Sequence, residues 1–328
     1  MSETESSDVP DIPASTNLRA ASAAALTRWT VGLLSDLMPE GRPAVMVDRG
    51  IVAAVMSALG SMPGGTRVIP VREDGLRGEW VLAAGVEFGE RAGYYIHGSA
   101  YAICSARTHR KLVARLSEAT GLPIFSIDYR LAPEHLFPTA AIDVENGYRW
   151  LQGQGYAGSD LVIAGDSAGG HLALDLLLAH IDEPRFQPAG VVLFSPLIDL
   201  TLRLAEQVVR EPAMSAGTAR KLVELYCGDT DPNHPRLRLD FTRAADLPPL
   251  LVQVGGYEML RADARHLDAA VRRAGGRCTL EEWPGMMHVF QALPRLAPES
   301  AAALRRAADF VATAYADDRR AASLVRIG

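Results

Sequence analysis

The sequence predicts an α/β fold with a mostly parallel central sheet that is flanked by helices. Short apolar runs rich in β-branched residues alternate with stretches of helical periodicity over most of the chain after residue 92. Runs of this kind are typical of parallel strands, which are buried on both faces. Their regular alternation with helices is the second observation, and it favours a doubly wound sheet covered by helices.

The individual elements follow from these two patterns, taken in chain order. Compact apolar or β-branched runs predict strands at 66–71, 79–83, 92–96, 123–127, 161–164, 190–194, 249–254 and 278–283. Apolar residues at helical spacing predict helices at 108–120, 140–152, 171–178, 219–226, 261–274 and 299–315. Residues 18–60 also have a helical pattern, which the prolines and glycine of residues 39–43 interrupt.

The chain divides into a polar tail and one large domain. Residues 1–17 are rich in Ser, Thr, Asp and Glu and lack apolar periodicity, so we expect a disordered tail. The remaining residues, 18–328, are enough for a single α/β domain with an insertion. The alternation of strands and helices pauses between residues 201 and 246. We therefore expect a helical cap, formed by about 18–60 and 199–244, over the carboxyl edge of the sheet.

Composition excludes several classes of function. The 328 residues carry a net charge of −6 and a pI of about 5.8, which does not suit a nucleic-acid-binding surface. Three cysteines lie far apart, so neither a disulfide framework nor a metal site is indicated, and we expect a cytoplasmic location. The acidic start does not resemble a secretory signal, and the apolar stretch 20–38 is too short and too charged to span a membrane. No phosphate-cradling glycine loop is apparent, so we expect no cofactor.

The most informative motif is a serine flanked by glycines, Gly165-Asp166-Ser167-Ala168-Gly169. It stands between an apolar strand signal at 161–164 and a helical run at 171–178. A serine in this setting predicts a nucleophile elbow, in which the two glycines permit a very sharp turn. The turn places Ser167 at a helix N-terminus, where backbone N–H groups favour developing negative charge. The motif therefore indicates nucleophilic attack on an acyl carbon.

A serine nucleophile needs a histidine base, and topology narrows the choice. In open α/β sheets the site lies at the carboxyl ends of the strands. Of the eight histidines, His288 follows the last strand signal, in a loop that also holds Pro284 and Gly285. It comes after the elbow in the chain, so we assign it as the general base. The histidines on predicted helices, His109 among them, are interpreted as surface or packing residues.

The third member is a carboxylate that orients the imidazole and stabilises its protonated form. Two candidates follow the strand signal at 249–254. Glu258 lies in the strand-end turn, whereas Asp263 lies inside the next helix and would point elsewhere. We favour Glu258, although a helix-capping carboxylate is an ordinary alternative for it. Asp263 stays the second candidate.

An oxyanion hole requires backbone N–H groups aimed at the developing alkoxide. One donor is expected from Ala168, directly after the nucleophile. The others are expected from the loop after the third strand, which reads His97-Gly98-Ser99-Ala100-Tyr101. Gly98 and Ser99 are the predicted donors of this loop.

Several separated segments agree, in order, with one known family. They are His97 to Tyr101, Tyr129-Arg130-Leu131-Ala132-Pro133-Glu134-His135, the elbow extended by Gly170, Leu247 to Gly255, and Trp283 to Phe290. With these segments the chain resembles the hormone-sensitive-lipase-like branch of the α/β-hydrolases, over roughly residues 65–315. Because the motifs are separate and agree in order, the resemblance is far more specific than any one of them.

The resemblance implies an α/β-hydrolase fold and a serine carboxylesterase with a cap over its site. It carries the nucleophile, acid and base roles to Ser167, Glu258 and His288. It also implies that Arg130 and Glu134 hold the loop beside the active site. Members of the family often dimerise through the last strand, which here runs from Cys278 to Trp283.

Three departures from the family pattern bear on the site. Ser99 and Ala100 stand where glycines are usual, and their Cβ atoms restrict φ and narrow the pocket floor. Cys104 stands where glycine is common and is interpreted as a small packed residue. The acid Glu258 replaces the more usual Asp, and its extra methylene requires a slightly different backbone path.

We therefore expect a hydrolase of short- to medium-chain acyl esters, whose partner is a small-molecule ester or lactone. Lactone hydrolysis and deacetylation on the same triad are alternatives. A non-catalytic small-molecule receptor is disfavoured by the presence of His288, and a peptidase by the lack of an amine-binding acidic pocket. The candidate pocket residues, each equally consistent with ordinary core, are Tyr101, Phe137, Met214, Tyr257 and Phe290.

Overall fold

A sheet of eight strands organises the computed structural model, which describes residues 42–98, 100–207 and 216–325. Its strands are β1 Arg67–Glu73, β2 Leu76–Leu82, β3 Ala92–Ile96, β4 Ile124–Ile127, β5 Leu161–Asp166, β6 Gly190–Phe194, β7 Leu250–Gly255 and β8 Cys278–Trp283. Across the sheet their order is β1-β2-β4-β3-β5-β6-β7-β8. β2 is antiparallel to both of its neighbours, and the other pairs are parallel. The predicted α/β class with a mostly parallel sheet is confirmed.

Helices cover both faces of this sheet. Those described are α1 Arg42–Leu59, α2 Ala106–Thr120, α3 Thr139–Gly153, α4 Ala168–Ala179, α5 Ala216–Cys227, α6 Arg261–Arg273 and α7 Glu299–Val325. Local sequence sets both ends of α2. Ser105 and Thr108 form a capping box at its start, and Gly121 ends the helix with φ 70°. Within the described ranges, no helix combines the length and apolar character needed to cross a bilayer.

Alternate side chains of the central strands enter two separate cores. On β3, Tyr94 packs in one hydrophobic cluster and Tyr95 packs in the other. The first cluster includes residues of α3, α4 and α6, and the second includes residues of α2 and α7. Every residue of β3, β5, β6 and β7 is buried, as expected of parallel strands covered on both faces. Burial on both faces fixes the positions of the strand ends, where the sequence predicts the active site.

Predicted and observed elements agree closely in position. β3, β6 and β8 have the bounds that the sequence predicted. Helix α7 continues to Val325 rather than ending at 315, because residues 316–325 contain neither glycine nor proline. The predicted tail, 1–17, and the first part of the predicted cap, 18–41, lie outside the described residues.

The insertion after β6 is attached to helix α4 by polar side chains. Arg236 donates to both carboxylate oxygens of Asp175 at 2.8 to 3.0 Å, and the Asp175 side chain is only 2% exposed. One turn earlier on α4, Nε2 of His171 lies 3.2 Å from the carbonyl oxygen of Leu237. Because α4 begins directly after Ser167, these bonds attach the insertion to the helix that follows the predicted nucleophile.

Aromatic rings join helix α5 of the insertion to the loop after β3. Tyr226 stacks on Tyr101, with ring centroids 4.0 Å apart and planes 13° apart. Phe137 contacts Tyr226 edge-on, and its backbone N–H donates to the Tyr226 carbonyl oxygen at 2.8 Å. These contacts pack α5 against the loops at the carboxyl edge of the sheet.

Helix α1 is anchored to two loops of the carboxyl edge through Arg49. Its two Nη atoms donate to the Glu134 carboxylate at 3.1 and 2.7 Å. It also donates to the carbonyl oxygens of Ala102 and Ala132, each at 2.8 Å. Ala102 belongs to the loop after β3, and the other two partners belong to the loop after β4. The planar guanidinium therefore holds both loops at once.

Replacing Arg49 by Ala should lower the free energy of unfolding by about 1–2 kcal/mol, because two carbonyl oxygens and a carboxylate lose their donor. Arg67→Ala is the control, since it removes a more exposed ion pair, with Glu87, and one carbonyl contact. It should cost less. Urea unfolding followed by circular dichroism measures both variants, and equal losses would contradict a special role for Arg49.

Candidate active site

Ser167 stands at the end of β5, in a sharp turn that leads directly into α4. Its φ of 50° and ψ of −122° are strained for a residue with a side chain. Two backbone bonds hold it there: its N–H donates to the Phe194 carbonyl oxygen, and its own carbonyl oxygen accepts from the Leu197 N–H, each at 3.0 Å. The serine is partly exposed, whereas its neighbours in the motif are buried. This is the geometry of a nucleophile elbow.

The glycines of the elbow serve close packing rather than backbone freedom. A Cβ atom on Gly169 would clash with the carbonyl oxygens of Ile96 and His97. One on Gly165 would lie 2.8 Å from the Gly169 carbonyl oxygen. Neither glycine is among the described residues with positive φ, so the sharp dihedral belongs to Ser167 itself. The explanation drawn from the sequence is corrected: the glycines let the end of β3 approach the turn.

His288 and Glu258 form a hydrogen-bonded pair. Nδ1 of the imidazole lies 3.0 Å from Oε1 of the carboxylate. The Glu258 side chain is fully buried, and the His288 side chain is 20% exposed. The other oxygen, Oε2, accepts the N–H of Gly255 and the hydroxyl of Ser195, both at 2.7 Å. Three donors therefore hold this carboxylate, which suits an acid that orients an imidazole.

The loops that carry the acid and the histidine are joined through the backbone. The Tyr257 N–H donates to the Met286 carbonyl oxygen at 3.0 Å. A Cβ atom on Gly255 would clash with that same carbonyl oxygen and would lie 2.8 Å from Oε2 of Glu258. Glycine at this position therefore lets the carboxylate fold back onto its own loop and meet the histidine loop.

Asp263, the second candidate for the acid, has different partners. Its Oδ1 accepts the N–H groups of Ile198 and Asp199, both at 2.8 Å. Its Oδ2 is buried without a hydrogen-bond partner among the described residues. Burial raises the pKa of Asp263 to about 7. Asp263 thus holds the segment after β6, while Glu258 contacts the imidazole.

The three predicted oxyanion donors have different surroundings. Ala168 is the first residue of α4, so its N–H is a first-turn group without an intrahelical partner. The N–H of Gly98 donates to Oδ1 of Asp166 at 3.0 Å, so this group anchors the loop to the elbow. Ser99 lies outside the described residues. The next residue, Ala100, has φ 49°, a conformation that the family's usual glycine would adopt without strain.

Asp166, to which the sequence analysis gave no role, connects the elbow to β3, to the loop after β3 and to helix α2. Its buried carboxylate accepts the Tyr95 hydroxyl at 2.6 Å and lies 3.2 Å from Nε2 of His109. Although burial opposes the shift, the nearby carboxylate raises the pKa of His109, and the histidine lowers the pKa of Asp166. His109 is therefore a buried residue that contacts the Asp166 carboxylate, in line with the packing interpretation and not with the surface one. Its position next to the nucleophile in the motif could have singled out Asp166.

Ser195 is the second residue to which the sequence analysis gave no role. It follows β6 directly, at the edge of the sheet where the acid and the base were sought. A search of strand ends for hydroxyl groups, besides carboxylates and imidazoles, would have found it.

The loop after β4 is held as the resemblance implied. Arg130 donates to the Asp143 carboxylate through Nε and Nη2, at 2.9 and 2.7 Å. Glu134 is the partner of Arg49. The Tyr129 hydroxyl donates to the backbone carbonyl oxygen of residue 97 at 2.8 Å, which joins this loop to the predicted oxyanion loop.

The candidate pocket residues lie in different environments. Tyr101 and Phe290 are fully buried, Phe137 is partly buried and Tyr257 is exposed. Met214 lies outside the described residues. Only Tyr101 and Phe137, of the four that are described, are in contact with α5 through its Tyr226 ring.

Replacing Asp263 by Asn should flatten the pH dependence of stability between about pH 4 and 7. The folded-state pKa is raised from 3.8 to about 7, so the stability from this group is fully present below pH 3.8 and is lost as the pH rises through about 7. The amide keeps an oxygen for the Ile198 and Asp199 N–H groups and does not titrate.

Melting temperatures at pH 5 and pH 8 check this expectation. The wild type should lose more stability than the variant over that interval. Parallel pH profiles for the two proteins would contradict the raised pKa of Asp263.

Comparisons with known proteins give the family. Residues 94–292 match the model of a family described as having the α/β-hydrolase fold. The acetyl-hydrolase of Streptomyces hygroscopicus is 38% identical over 239 residues, which cover 72% of this chain and 79% of that protein.

Solved structures agree over a larger share of the chain. EstE5, in a crystal soaked with p-nitrophenyl butyrate, superposes with a TM-score of 0.82 at 32% identity and covers 92% of this chain and 100% of its own. An esterase from the bacterial hormone-sensitive lipase family superposes with a TM-score of 0.81 at 29% identity and covers 92% of this chain and 99% of its own. The chain therefore belongs to the α/β-hydrolase family and, within it, to the hormone-sensitive-lipase-like branch of bacterial esterases.

Proposed function

We propose that this carboxylic ester hydrolase is a serine esterase that cleaves short- to medium-chain acyl esters through Ser167, His288 and Glu258. The observation that carries the proposal is the 3.0 Å contact between Nδ1 of His288 and Oε1 of the buried Glu258. A carboxylate on Nδ1 leaves Nε2 as the nitrogen that accepts the proton of a serine hydroxyl. The strained elbow at Ser167 ends a strand at the same edge of the sheet.

In the first half of the reaction, His288 removes the hydroxyl proton of Ser167 as the serine oxygen attacks the acyl carbon. Glu258 stabilises the imidazolium that forms. The N–H of Ala168, at the N-terminus of α4, stabilises the negative charge on the tetrahedral oxygen. Of the two donors predicted in the loop after β3, Ser99 stays a prediction, whereas the N–H of Gly98 is already bonded to Oδ1 of Asp166. His288 then gives its proton to the leaving alcohol, and the acyl group remains on Ser167.

In the second half, a water molecule takes the place of the alcohol. His288 removes a proton from the water as its oxygen attacks the acyl carbon, and the same N–H groups stabilise the oxyanion. The bond between the acyl carbon and the Ser167 oxygen then breaks, and His288 returns the proton to the serine. A free carboxylic acid leaves, and the resting enzyme is restored.

The preference for short acyl chains has two supports. One relative is an acetyl-hydrolase, and EstE5 was soaked with a butyrate ester. The second support is Ala100, which has φ 49° where the family usually has glycine, and we expect its Cβ to narrow the floor of the acyl pocket. Lactone hydrolysis and deacetylation on the same triad stay the alternatives, because both proceed through the same acyl-enzyme chemistry. A non-catalytic receptor is disfavoured, since the imidazole–carboxylate pair is intact.

The assembly and the cap are further parts of the proposal. Helix α1 and the insertion that holds α5 would form the cap, since both contact the loop after β3. β8 lies at an edge of the sheet, so a second copy would pair with its open side. The described cysteines are free thiols, which supports a cytoplasmic location.

Ser167→Ala should abolish hydrolysis of p-nitrophenyl butyrate while the protein stays folded. Loss of the nucleophile costs a serine hydrolase roughly 10⁶-fold in kcat, so residual turnover above about one part in 10⁴ would refute the assignment. An unchanged circular dichroism spectrum establishes the fold. A fluorophosphonate probe should label the wild type and leave the variant unlabelled. The same assay with acyl esters of graded length and with lactones ranks the substrate classes.

Glu258→Gln should cost far more activity than Asp263→Asn. An amide in place of the acid removes the charge that stabilises the imidazolium, and the expected loss in kcat is roughly 10²–10⁴-fold. Asp263 contacts the backbone of residues 198 and 199, so its amide variant should lose less than about tenfold. The opposite ranking would move the acid to Asp263.

A further inference from the structure

Ser195, the residue directly after β6, contacts both loops that carry the acid and the histidine. We propose that Ser195 is a positioning residue for ester hydrolysis, whose hydroxyl holds the Glu258 carboxylate and the backbone beside His288 in one geometry. The inference rests on the proposed function, because positioning matters only if these residues perform the chemistry.

The Ser195 hydroxyl bridges two partners. It donates to Oε2 of Glu258 at 2.7 Å and accepts the N–H of Val289 at 3.1 Å. Val289 follows His288 in the chain, so one oxygen atom joins the acid to the backbone of the base. Ser195 and Glu258 are both fully buried, so solvent does not substitute for either bond.

The backbone around Ser195 also reaches the nucleophile. The Phe194 carbonyl oxygen accepts the Ser167 N–H, and the Leu197 N–H donates to the Ser167 carbonyl oxygen. The segment 194–197 is therefore bonded to the nucleophile on both sides through its backbone. Through the Ser195 side chain, it is also bonded to the acid and to the histidine loop. No other position in this segment has a side-chain hydroxyl.

The conformation of Ser195 adds a second, independent observation. Its φ is 48°, in the left-handed region that a residue with a side chain enters at a cost. Its N–H is held by the Gln253 carbonyl oxygen of β7 at 2.8 Å. A glycine would occupy this conformation without strain. The chain instead has a side chain here, and its hydroxyl makes two buried bonds at the proposed triad.

During the reaction the contribution of the hydroxyl is geometric. Oε2 of Glu258 has two donors, Ser195 and Gly255, which leave Oε1 for the imidazole of His288. Without the hydroxyl, the Gly255 N–H is the remaining donor on Oε2 and the Val289 N–H loses its partner. The carboxylate and the imidazole then sample more arrangements, of which fewer are aligned for proton transfer. The rate falls in consequence, while substrate binding is unaffected.

Ser195→Ala should lower kcat for p-nitrophenyl butyrate by roughly 10- to 100-fold, with KM changed less than about twofold. The rate of fluorophosphonate labelling should fall in parallel, since it depends on the same alignment. Both are measured well below the melting temperature of the variant. A kcat within about twofold of the wild type would overturn the proposal.

Ser117→Ala is the matched control for loss of a buried hydroxyl. Ser117 is fully buried in α2, accepts the Ala83 N–H at 3.0 Å and donates to the Leu122 carbonyl oxygen at 2.7 Å. It therefore makes one bond of each kind, as Ser195 does, away from the proposed triad. This variant should lose stability and keep its kcat. If Ser195→Ala behaves in the same way, its role is structural only.

Ser195→Gly separates the hydroxyl from the backbone. Glycine relieves the positive φ, so this variant should be more stable than Ser195→Ala and equally slow. Recovery of kcat in the glycine variant would overturn the proposal, because the backbone alone would then suffice. Turnover by Ser167→Ala would instead overturn the proposed function itself. An inactive Ser167→Ala together with a normal Ser195→Ala would overturn only the positioning role.

Discussion

Hydrogen bonds that continue the sheet beyond the ends of its strands are the interaction on which the site depends. Each joins the residue that follows one strand to a residue at or near the end of the neighbouring strand. They link Ser167 to Phe194, Ser195 to Gln253 and Gly256 to Trp283. Because β5, β6, β7 and β8 are parallel and in fixed register, their carboxyl ends stay level with one another. Segments far apart in the chain therefore meet at one edge, and the register of buried strands sets the spacing between them.

This edge also concentrates backbone strain. Ser167, Ser195 and Val289 have φ of 50°, 48° and 48°, and such conformations cost on the order of 1–3 kcal/mol each. Each of the three donates its backbone N–H to a buried acceptor, respectively the Phe194 carbonyl, the Gln253 carbonyl and the Ser195 hydroxyl. The two hydrophobic cores, one on each face of the sheet, supply the stability that offsets this strain. The backbone strain thus lowers stability at the same edge of the sheet that orients the side chains of the proposed triad.

The sequence was sufficient wherever the signal was local. The α/β class, the approximate positions of the central strands and the elbow at Ser167 all followed from patterns within a few residues. The preference for Glu258 over Asp263 came from position after a strand, and the structure brings Glu258 into contact with the imidazole. The sequence did not predict the long-range hydrogen bonds. The bond from Gly98 to Asp166 spans 68 residues, and the bond from Val289 to Ser195 spans 94. No local pattern encodes a partner at such separations. The sequence can therefore mark Asp166 and Ser195 by their positions, but only the folded chain gives their partners.

The contact made by Arg49 has a consequence for the engineering of this scaffold. One guanidinium on α1 contacts both the loop after β3 and the loop after β4. β3 is the direct neighbour of β5, the strand that ends at Ser167. A chimaera that takes α1 from a relative to alter the proposed cap would therefore also disturb both of these loops. Arg49 and Glu134 would have to be transferred together to preserve their ion pair. Directed evolution of the proposed cap would, for this reason, have to optimise α1 and these two loops jointly.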